Sequence, residues 1–470
     1  MAAKWYEHAV FYELYTRAFR DSDGDGFGDF SGVLEKLDYL ADLGIDAIWF
    51  PPFYASPLRD GGYDISDYRA VDPRYGTLED FEKIIRKAHG LGMKIVLDLV
   101  LNHTSDQHPW FRESRKDPTG KYGDYYVWAD DDKGYAGTRI IFSETESANW
   151  TYDAVRRQYF WHRFYKEQPD LNFDCPAVHE EVLGIADFWA SKGVDGFRLD
   201  AIPYLYEREG TNNESLSETH AFLVKLRRHL DEHYDCVALL AEACTPIPEN
   251  VKFFGTDSLP ECSLCFNFSL ASQLFAAMKL KEVNRLSAVI SELYGHLPQN
   301  ATWSNFLRNH DFLTLELLSP TLEAQMIDWY APPQGIRNSG IARRLAPLLG
   351  YNEAQLRAVT ALLISLPGAP CWYYGDELLM ADDPALPDRD SVRLPMPWAD
   401  ADKALADSGS FLNWFKETLA FRRKRPALLT GDLEILDGTC AAVLRFRRTI
   451  PDKDTVTFEI DFSTDTYRWY

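Results

Sequence analysis

A short apolar segment that ends in charged or amide side chains, preceded by a helical stretch closed with glycine, recurs along this chain and limits its fold more than any other feature. The clearest case runs from Val182 to Ala201. Val182, Ile185, Ala186 and Trp189 fall at i, i+3, i+4 and i+7, the spacing of one helix face. Gly193 is placed to end that helix, and Val194 to Leu199 reads as a buried strand. Arg198 and Asp200 lie two residues apart, so both side chains leave the same face of the strand. Taken alone, the pair is either a structural ion bridge or part of a site.

The unit repeats in pattern, though not in sequence. Val33, Leu37, Leu40 and Leu43 line a helix closed by Gly44, and Asp46 to Phe53 follows as a strand. Thr77-Leu78-Glu79-Asp80 has capping-box form ahead of Phe81, Ile84, Ile85 and Ala88. Gly92 then precedes the buried strand Lys94 to Leu101. Further strands are expected at Val237 to Ala241, Ser263 to Phe268, Trp303 to Leu307 and Ala369 to Tyr374. With the aromatic, β-prone segment Phe11 to Phe19 they number eight. Strand, loop, helix, strand implies parallel neighbours, and eight such units over roughly 400 residues fit a TIM (β/α)8 barrel of the α/β class carrying insertions.

Between His103 and Trp161 the periodicity fails in an aromatic, acidic stretch too long for an ordinary loop. It reads as an inserted domain after the third strand. After a helix near Phe411 to Lys424 the tail alternates, in Leu433–Leu436, Ala442–Phe446 and Thr455–Ile460, as a small antiparallel β domain does. The expected division is 1–103 for the first part of the barrel, 104–165 for the insertion, 166–428 for the second part and 429–470 for the C-terminal β domain.

Composition narrows the partners. The formal net charge of −23 argues against nucleic acid and anionic membrane surfaces. The seven cysteines are scattered and odd in number, as in a reducing compartment. Cys262 and Cys265 form a lone C-x-x-C that reads as core rather than as a redox or zinc site. Met1 to Tyr15 lacks a basic start followed by an apolar run, and no apolar stretch approaches ~20 residues, so a cytoplasmic location is expected. A homo-oligomer is left open.

In a β/α barrel the reactive groups sit at the carboxyl ends of the strands. Here those ends carry Asp98, Asn102 and His103, then Arg198 and Asp200, then Glu242, then Asn309, His310 and Asp311. An aspartate beside an arginine stays ionised, whereas a glutamate near an apolar wall and other carboxylates holds a proton. Cleavage of a glycosidic bond needs that combination. Elsewhere, Asp21, Asp23, Asp25 and Asp29 alternate with glycines as oxygen ligands do around a calcium ion, although the bidentate glutamate of an EF-hand is missing.

Four stretches, Asp98–His103, Gly196–Ala201, Ala241–Ala243 and Arg308–Asp311, resemble in order the four signature regions of the α-amylase family of glycoside hydrolases. Within it, Gly137–Phe142, Gln168–Asn172, Pro203–Thr211 and Ile341–Pro347 resemble the trehalose synthases, which are maltose α-glucosyltransferases. The likeness runs from about Trp5 to Trp398 and implies a retaining mechanism on a disaccharide. Asp200 would be the nucleophile, Glu242 the acid and base, and Asp311 the holder of sugar hydroxyls. Arg198 would keep Asp200 ionised. Tyr63, Asp64, His103 and His310 would bind the sugar, and Arg389 would close the pocket. The resemblance also implies a structural calcium ion held by Asn102, Asp170, the Tyr204 and Leu205 carbonyls and Glu207, with no organic cofactor.

Phe312, Cys244 and Pro397 depart from the residues usual in those synthases, and the first two bear on acceptor binding. An α-glucosidase acting on maltose, sucrose or short α-glucans is the alternative. A binding protein on an inactive barrel would lack one of the three carboxylates. A barrel enzyme for phosphorylated substrates is disfavoured by the acidic bowl.

Overall fold

Eight parallel strands close into a barrel in this computed structural model, which describes residues 4–295, 297–332, 336–337, 340–436, 438 and 440–470. Met1–Ala3, at the head of the N-terminal stretch read above, lie outside them. The strands are β1 (Phe11–Glu13), β2 (Ala47–Phe50), β3 (Lys94–Val100), β4 (Gly196–Asp200), β5 (Ala238–Ala241), β6 (Leu264–Phe266), β7 (Thr302–Phe306) and β8 (Ala369–Tyr373). Each pairs with its neighbours in sequence, and β8 closes on β1.

Most of the expected strands are shorter than the apolar pattern suggested, two of them for reasons visible in the backbone. The second stops at Phe50 because Pro51 and Pro52 have no N–H to give the ladder. The first stops at Glu13, and Thr16–Phe19 turn into a short helix over the barrel rim. There Phe19 meets Trp398 edge to face at 5.0 Å rather than pairing along a sheet.

Alternation along the strands sorts the side chains. Phe11, Ala47, Trp49, Val96, Ala238, Leu240, Leu264, Phe266 and Phe306 pack together inside the barrel. Ile48, Phe50, Leu97, Phe197, Leu199 and Leu239 face the surrounding helices in a second, larger core. Glu13, Asp98, Arg198 and Asp200 continue the inward set at the carboxyl ends. The expected helix boundaries hold where caps are made. Thr77 and Asp80 exchange capping-box hydrogen bonds at the start of Leu78–Gly90, and Gly44 ends Phe30–Leu43 with a left-handed φ of 98°.

Between β3 and β4 the strands Trp128–Ala129, Gln158–Trp161 and Trp150–Asp153 form an antiparallel sheet. Phe111 supports it, stacked 5.5 Å from Trp128 and edge-on to Phe160. The tail forms a four-stranded antiparallel sheet, β9 (Asp432–Leu436), β10 (Val443–Ile450), β11 (Asp454–Asp461) and β12 (Thr466–Trp469). The sequence reading missed β12, which carries no aliphatic residue. No helix among the described residues is long and apolar enough to cross a membrane.

Candidate active site

Strand register builds the centre of the site. Asp98 on β3 lies opposite Arg198 on β4, and Leu240, two residues before Glu242, lies opposite Arg198 from the other side. The three strands approach closely because β4 begins with Gly196. A Cβ there would lie 3.0 Å from the Ala238 carbonyl oxygen and 3.3 Å from Val96 Cγ2. The Arg198 guanidinium is buried over Trp49 and Tyr63, at 5.3 and 5.7 Å from their ring centres. Its Nη1 donates to Asp98 Oδ1 at 2.6 Å and to Asp200 Oδ1 at 2.5 Å, and its Nη2 contacts Glu242 Oε1. One buried cation thus holds three carboxylates.

Just past the strand, Ala201 takes a left-handed φ of 53°, unusual for a residue with a side chain. This turn aims its N–H at Glu242 Oε2, 3.0 Å away. The carboxylates at the cavity floor are electrostatically distinct. Burial pushes Asp200 up to about 6 against the pull of Arg198. Burial also pushes Glu242 up to about 7, with Arg198 opposing and Asp200 and Asp311 adding to the rise. Burial acts the same way on Asp311, but His310, Arg389 and Arg393 outweigh it and hold that carboxyl well below the usual range.

Asp311 Oδ1 accepts from Arg389 Nη1 at 3.1 Å and lies 3.4 Å from Arg393 Nη2. Arg389 also pairs with Asp60, whose other oxygen accepts from Gln168 Nε2 at 2.9 Å. That amide lies 3.1 Å from His103 Nε2, and burial holds the His103 imidazole down at about 3 and therefore neutral.

Asp60, Tyr63, His103, Asp200, Glu242, Asp311 and Arg389 all line one cavity. Three expected sugar contacts are placed otherwise. Asp64 is fully buried outside the cavity, accepting from Ser56 Oγ at 2.9 Å and from the Arg59 and Asp60 amides at 3.1 Å. It braces the turn that presents Asp60 and Tyr63. Arg198 and His310 lie behind the wall, with the two Arg198 Nη atoms and both His310 ring nitrogens engaged by neighbouring side chains. Asp60, which the sequence reading missed, occupies the place it gave to Asp64.

The upper wall comes from the inserted stretch and the loops after β4 and β7. Phe142 and Phe164 pack 5.5 Å apart. Arg139 crosses from the insertion to Glu214 Oε1 at 2.7 Å, Glu316 Oε2 at 3.0 Å and Tyr204 OH at 3.2 Å.

The two expected cation sets differ. Asn102 Oδ1, Asp170 Oδ2 and Glu207 Oε1 are buried oxygens with no hydrogen-bond partner among the described residues. Burial pushes Asp170 up to about 8, and burial with the neighbouring Asp170 charge raises Glu207 well above its ordinary range. Arg163 opposes the rise at both carboxyls without cancelling it, so this oxygen donor set fits a hard cation. In the first loop, carboxylate oxygens of Asp21, Asp23 and Asp29 lie within 4.8 Å of one another, but Asp25 is not among them. Its Oδ1 accepts the Phe27 N–H at 2.7 Å instead. Asp29 also caps the helix Phe30–Leu43 through the Gly32 N–H.

The family model for the α-amylase catalytic domain matches residues 13–316, the stretch that runs from the last residue of β1 through β7 and supplies the three floor carboxylates. The chain belongs to the α-amylase family. It is 46% identical to the trehalose synthase/amylase TreS of Mycobacterium tuberculosis over 96% of its own length and 81% of that protein. It is 43% identical to the trehalose synthase of a Pimelobacter species over 95% of this chain and 85% of that protein. Among solved structures, the trehalulose synthase MutB of Pseudomonas mesoacidophila superposes with a TM-score of 0.81 at 28% identity, covering 98% of this chain and 91% of that one. Of the departures noted in the sequence, this α-amylase family member places Phe312 and Cys244 on the cavity wall and Pro397 away from it. Burial pushes the Cys244 thiol up to about 12, so it meets the cavity uncharged.

Proposed function

We propose that this chain interconverts maltose and trehalose by intramolecular glucosyl transfer, with some hydrolysis to glucose. The observation that carries the reading is the shared Arg198 guanidinium, which holds Asp200 and Glu242 side by side at the floor of a closed-over cavity. The named relatives supply the substrate class.

Asp200 attacks the anomeric carbon of maltose while Glu242 passes its proton to the glycosidic oxygen. The C–O bond breaks, leaving a β-glucosyl ester on Asp200 and free glucose. The glucose turns within the cavity, and its 1-hydroxyl gives its proton to Glu242 as its oxygen attacks the anomeric carbon and the bond from that carbon to Asp200 breaks. Trehalose leaves and both carboxyls return to their starting states. A Glu242 near 7 serves as acid and as base at neutral pH. Asp311, ionised and clamped between two arginines, accepts hydrogen bonds from the sugar held at Asp60, Tyr63 and His103.

Water in place of glucose gives hydrolysis, so the outcome rests on retention. Arg139 strapped to Glu214 and Glu316, over the Phe142 and Phe164 wall, supports a cavity that holds glucose between the two half-reactions. An α-glucosidase would share both carboxylates and lack this retention.

A calcium ion is part of the proposal. Asn102, Asp170 and Glu207 would hold one, with the Tyr204 and Leu205 carbonyls between β4 and Glu207. Asp21, Asp23 and Asp29 are the set for a second. Bound at the first set, the ion would neutralise charge and join the end of β3, the segment that returns from the insertion and the loop after β4. The seven cysteines stand free, which fits the cytoplasmic location we propose.

The test is to incubate purified protein with maltose and follow anomeric proton resonances. Trehalose rising ahead of glucose is expected. Glucose alone would make the chain an α-glucosidase, and unchanged maltose would overturn the reading.

A further inference from the structure

Glu13 ends β1 at the carboxyl rim, and its side chain is fully enclosed. Its Oε1 accepts the His310 backbone N–H at 3.3 Å and is in hydrogen-bond contact with His310 Nδ1. One carboxylate therefore grips both the ring and the main chain of the residue before Asp311. Across the ring, Nε2 lies 2.8 Å from Tyr63 OH and 3.2 Å from Asp311 Oδ2. The Tyr63 ring stacks on the imidazole at 5.5 Å with 12° between planes. The same Tyr63 hydroxyl donates to Asp98 Oδ2 at 3.1 Å, and Asp98 Oδ1 accepts from Arg198.

With Glu13 and Asp311 ionised, counting protons along this chain leaves one consistent arrangement. A neutral imidazole has one N–H. With that hydrogen on Nδ1, the Nε2 lone pair would face Asp311, and Tyr63 would have to donate to His310 instead of Asp98. With it on Nε2, the Nδ1 lone pair would face Glu13. The imidazolium satisfies every contact, with Nδ1–H to Glu13, Nε2–H shared by Asp311 and Tyr63, and the Tyr63 O–H left for Asp98. Burial disfavours the charge, but Asp311 and Glu13 outweigh it and raise the imidazole to about 9. The titratable groups acting on the ring are Glu13 from β1, Tyr63 from the loop after β2, Asp98 from β3 behind Tyr63, and Asp311 on its own turn. Arg389 and Arg393 act through Asp311, and Arg393 Nε also donates to the His310 carbonyl at 3.0 Å.

We propose that Glu13 is a positioning residue for glucosyl transfer. It keeps His310 doubly protonated, and the charged ring fixes Asp311 toward the sugar and Tyr63 toward the Asp98–Arg198 pair that carries the nucleophile. Its consequence for rate rests on the transfer reading above; the protonation state of His310 does not.

The first measurement is therefore independent of substrate. In wild-type protein labelled with 15N-histidine, with the His310 signals assigned by their loss in His310→Gln, both ring nitrogens are expected to be protonated at pH 7. In Glu13→Gln the His310 titration should fall by about 1–3 pH units. Maltose turnover by Glu13→Gln should fall about ten- to a hundredfold in kcat with KM little changed. The alkaline limb of its kcat/KM profile should move down and steepen, while Glu13→Asp recovers part of the rate. A neutral His310 in the wild type overturns the proposal whether or not Glu13→Gln folds. A Glu13→Gln enzyme with the wild-type rate and pH profile overturns it as well.

Discussion

At the scale of single residues, the site works by separating carboxyl groups that share one cation. Glu242 at about 7 and Asp200 at about 6 set opposite limbs of the pH dependence. The nucleophile must be ionised, so kcat/KM on maltose should rise through pH 6. The acid must be protonated, so it should fall above pH 7, giving a narrow optimum between them. A broad plateau from pH 5 to 9 would contradict the assignment. Asp200→Asn should abolish turnover of every substrate. Glu242→Gln should lower maltose turnover about 10²–10⁴-fold yet spare the first step on 4-nitrophenyl α-glucoside, whose leaving group needs no proton. A burst of nitrophenol from that variant, without an alkaline limb, is the expected record. The Asp60–Arg389 pair makes a further distinction, because Asp60 lines the cavity and Asp64 does not. Asp60→Asn should raise KM for maltose, whereas Asp64→Asn should act on the thermal unfolding midpoint through its lost turn contacts.

At the scale of elements, the barrel was legible because its signals are periodic. Helical faces such as Phe81, Ile84, Ile85 and Ala88, with glycine or proline at their ends, mark the β/α units, and the strand ends mark Asp98, Arg198, Asp200, Glu242 and Asp311. What escaped lies in irregular backbone. Asp60 stands in a turn with no period, next to the conspicuous Gly62-Tyr63-Asp64, so its place on the cavity lining, where Asp64 is absent, is not visible in the sequence. Glu13 sits in a strand of three residues whose inward face cannot be read without the register to β2 and β8. His310 looked like a sugar ligand, yet its two nitrogens are used up by Glu13, Tyr63 and Asp311. Asn102, Asp170 and Glu207 place three buried oxygens from separate segments without a hydrogen-bond partner among the described residues. If calcium holds them, chelation should lower the unfolding midpoint and calcium should restore it, with a gain of roughly 2.7 kcal/mol at a hundred times Kd. Glu207→Gln should weaken that response, and a midpoint indifferent to chelator would leave the three oxygens to some other partner.

At the scale of the molecule, the C-terminal sheet meets the end of the barrel opposite the cavity at Arg448, beside Arg422 of the helix Phe411–Lys424, two buried arginines without a carboxylate partner among the described residues. Arg448 on β10 donates to the carbonyls of Ser365 at 2.9 Å and Gly431 at 3.0 Å. Arg422 donates to those of His8 at 2.7 Å, Gly368 at 2.8 Å and Ile364 at 3.2 Å. Burial pulls Arg448 down to about 9, with Arg422 adding to the fall, so neither charge is cheap. The helix Glu353–Ser365 explains why both are kept. Its last carbonyls have no intrahelical donor and carry the negative end of the helix dipole, and Ile364 and Ser365 are among them. The arginines therefore cap that helix, and Trp469 Nε1 on β12 adds a bond to Ser365 Oγ at 2.8 Å. Arg448→Met keeps the length of the side chain and removes both donors. It should cost about 3–6 kcal/mol in stability, since hydrogen bonds from a charged donor to buried carbonyls are each worth about 1.5–3 kcal/mol. Because those carbonyls lie at the amino ends of the strands, kcat on maltose per folded molecule should not change. Urea unfolding alongside turnover below the transition separates the two effects. A variant with wild-type stability and reduced kcat would instead couple the sheet to the cavity across the whole barrel.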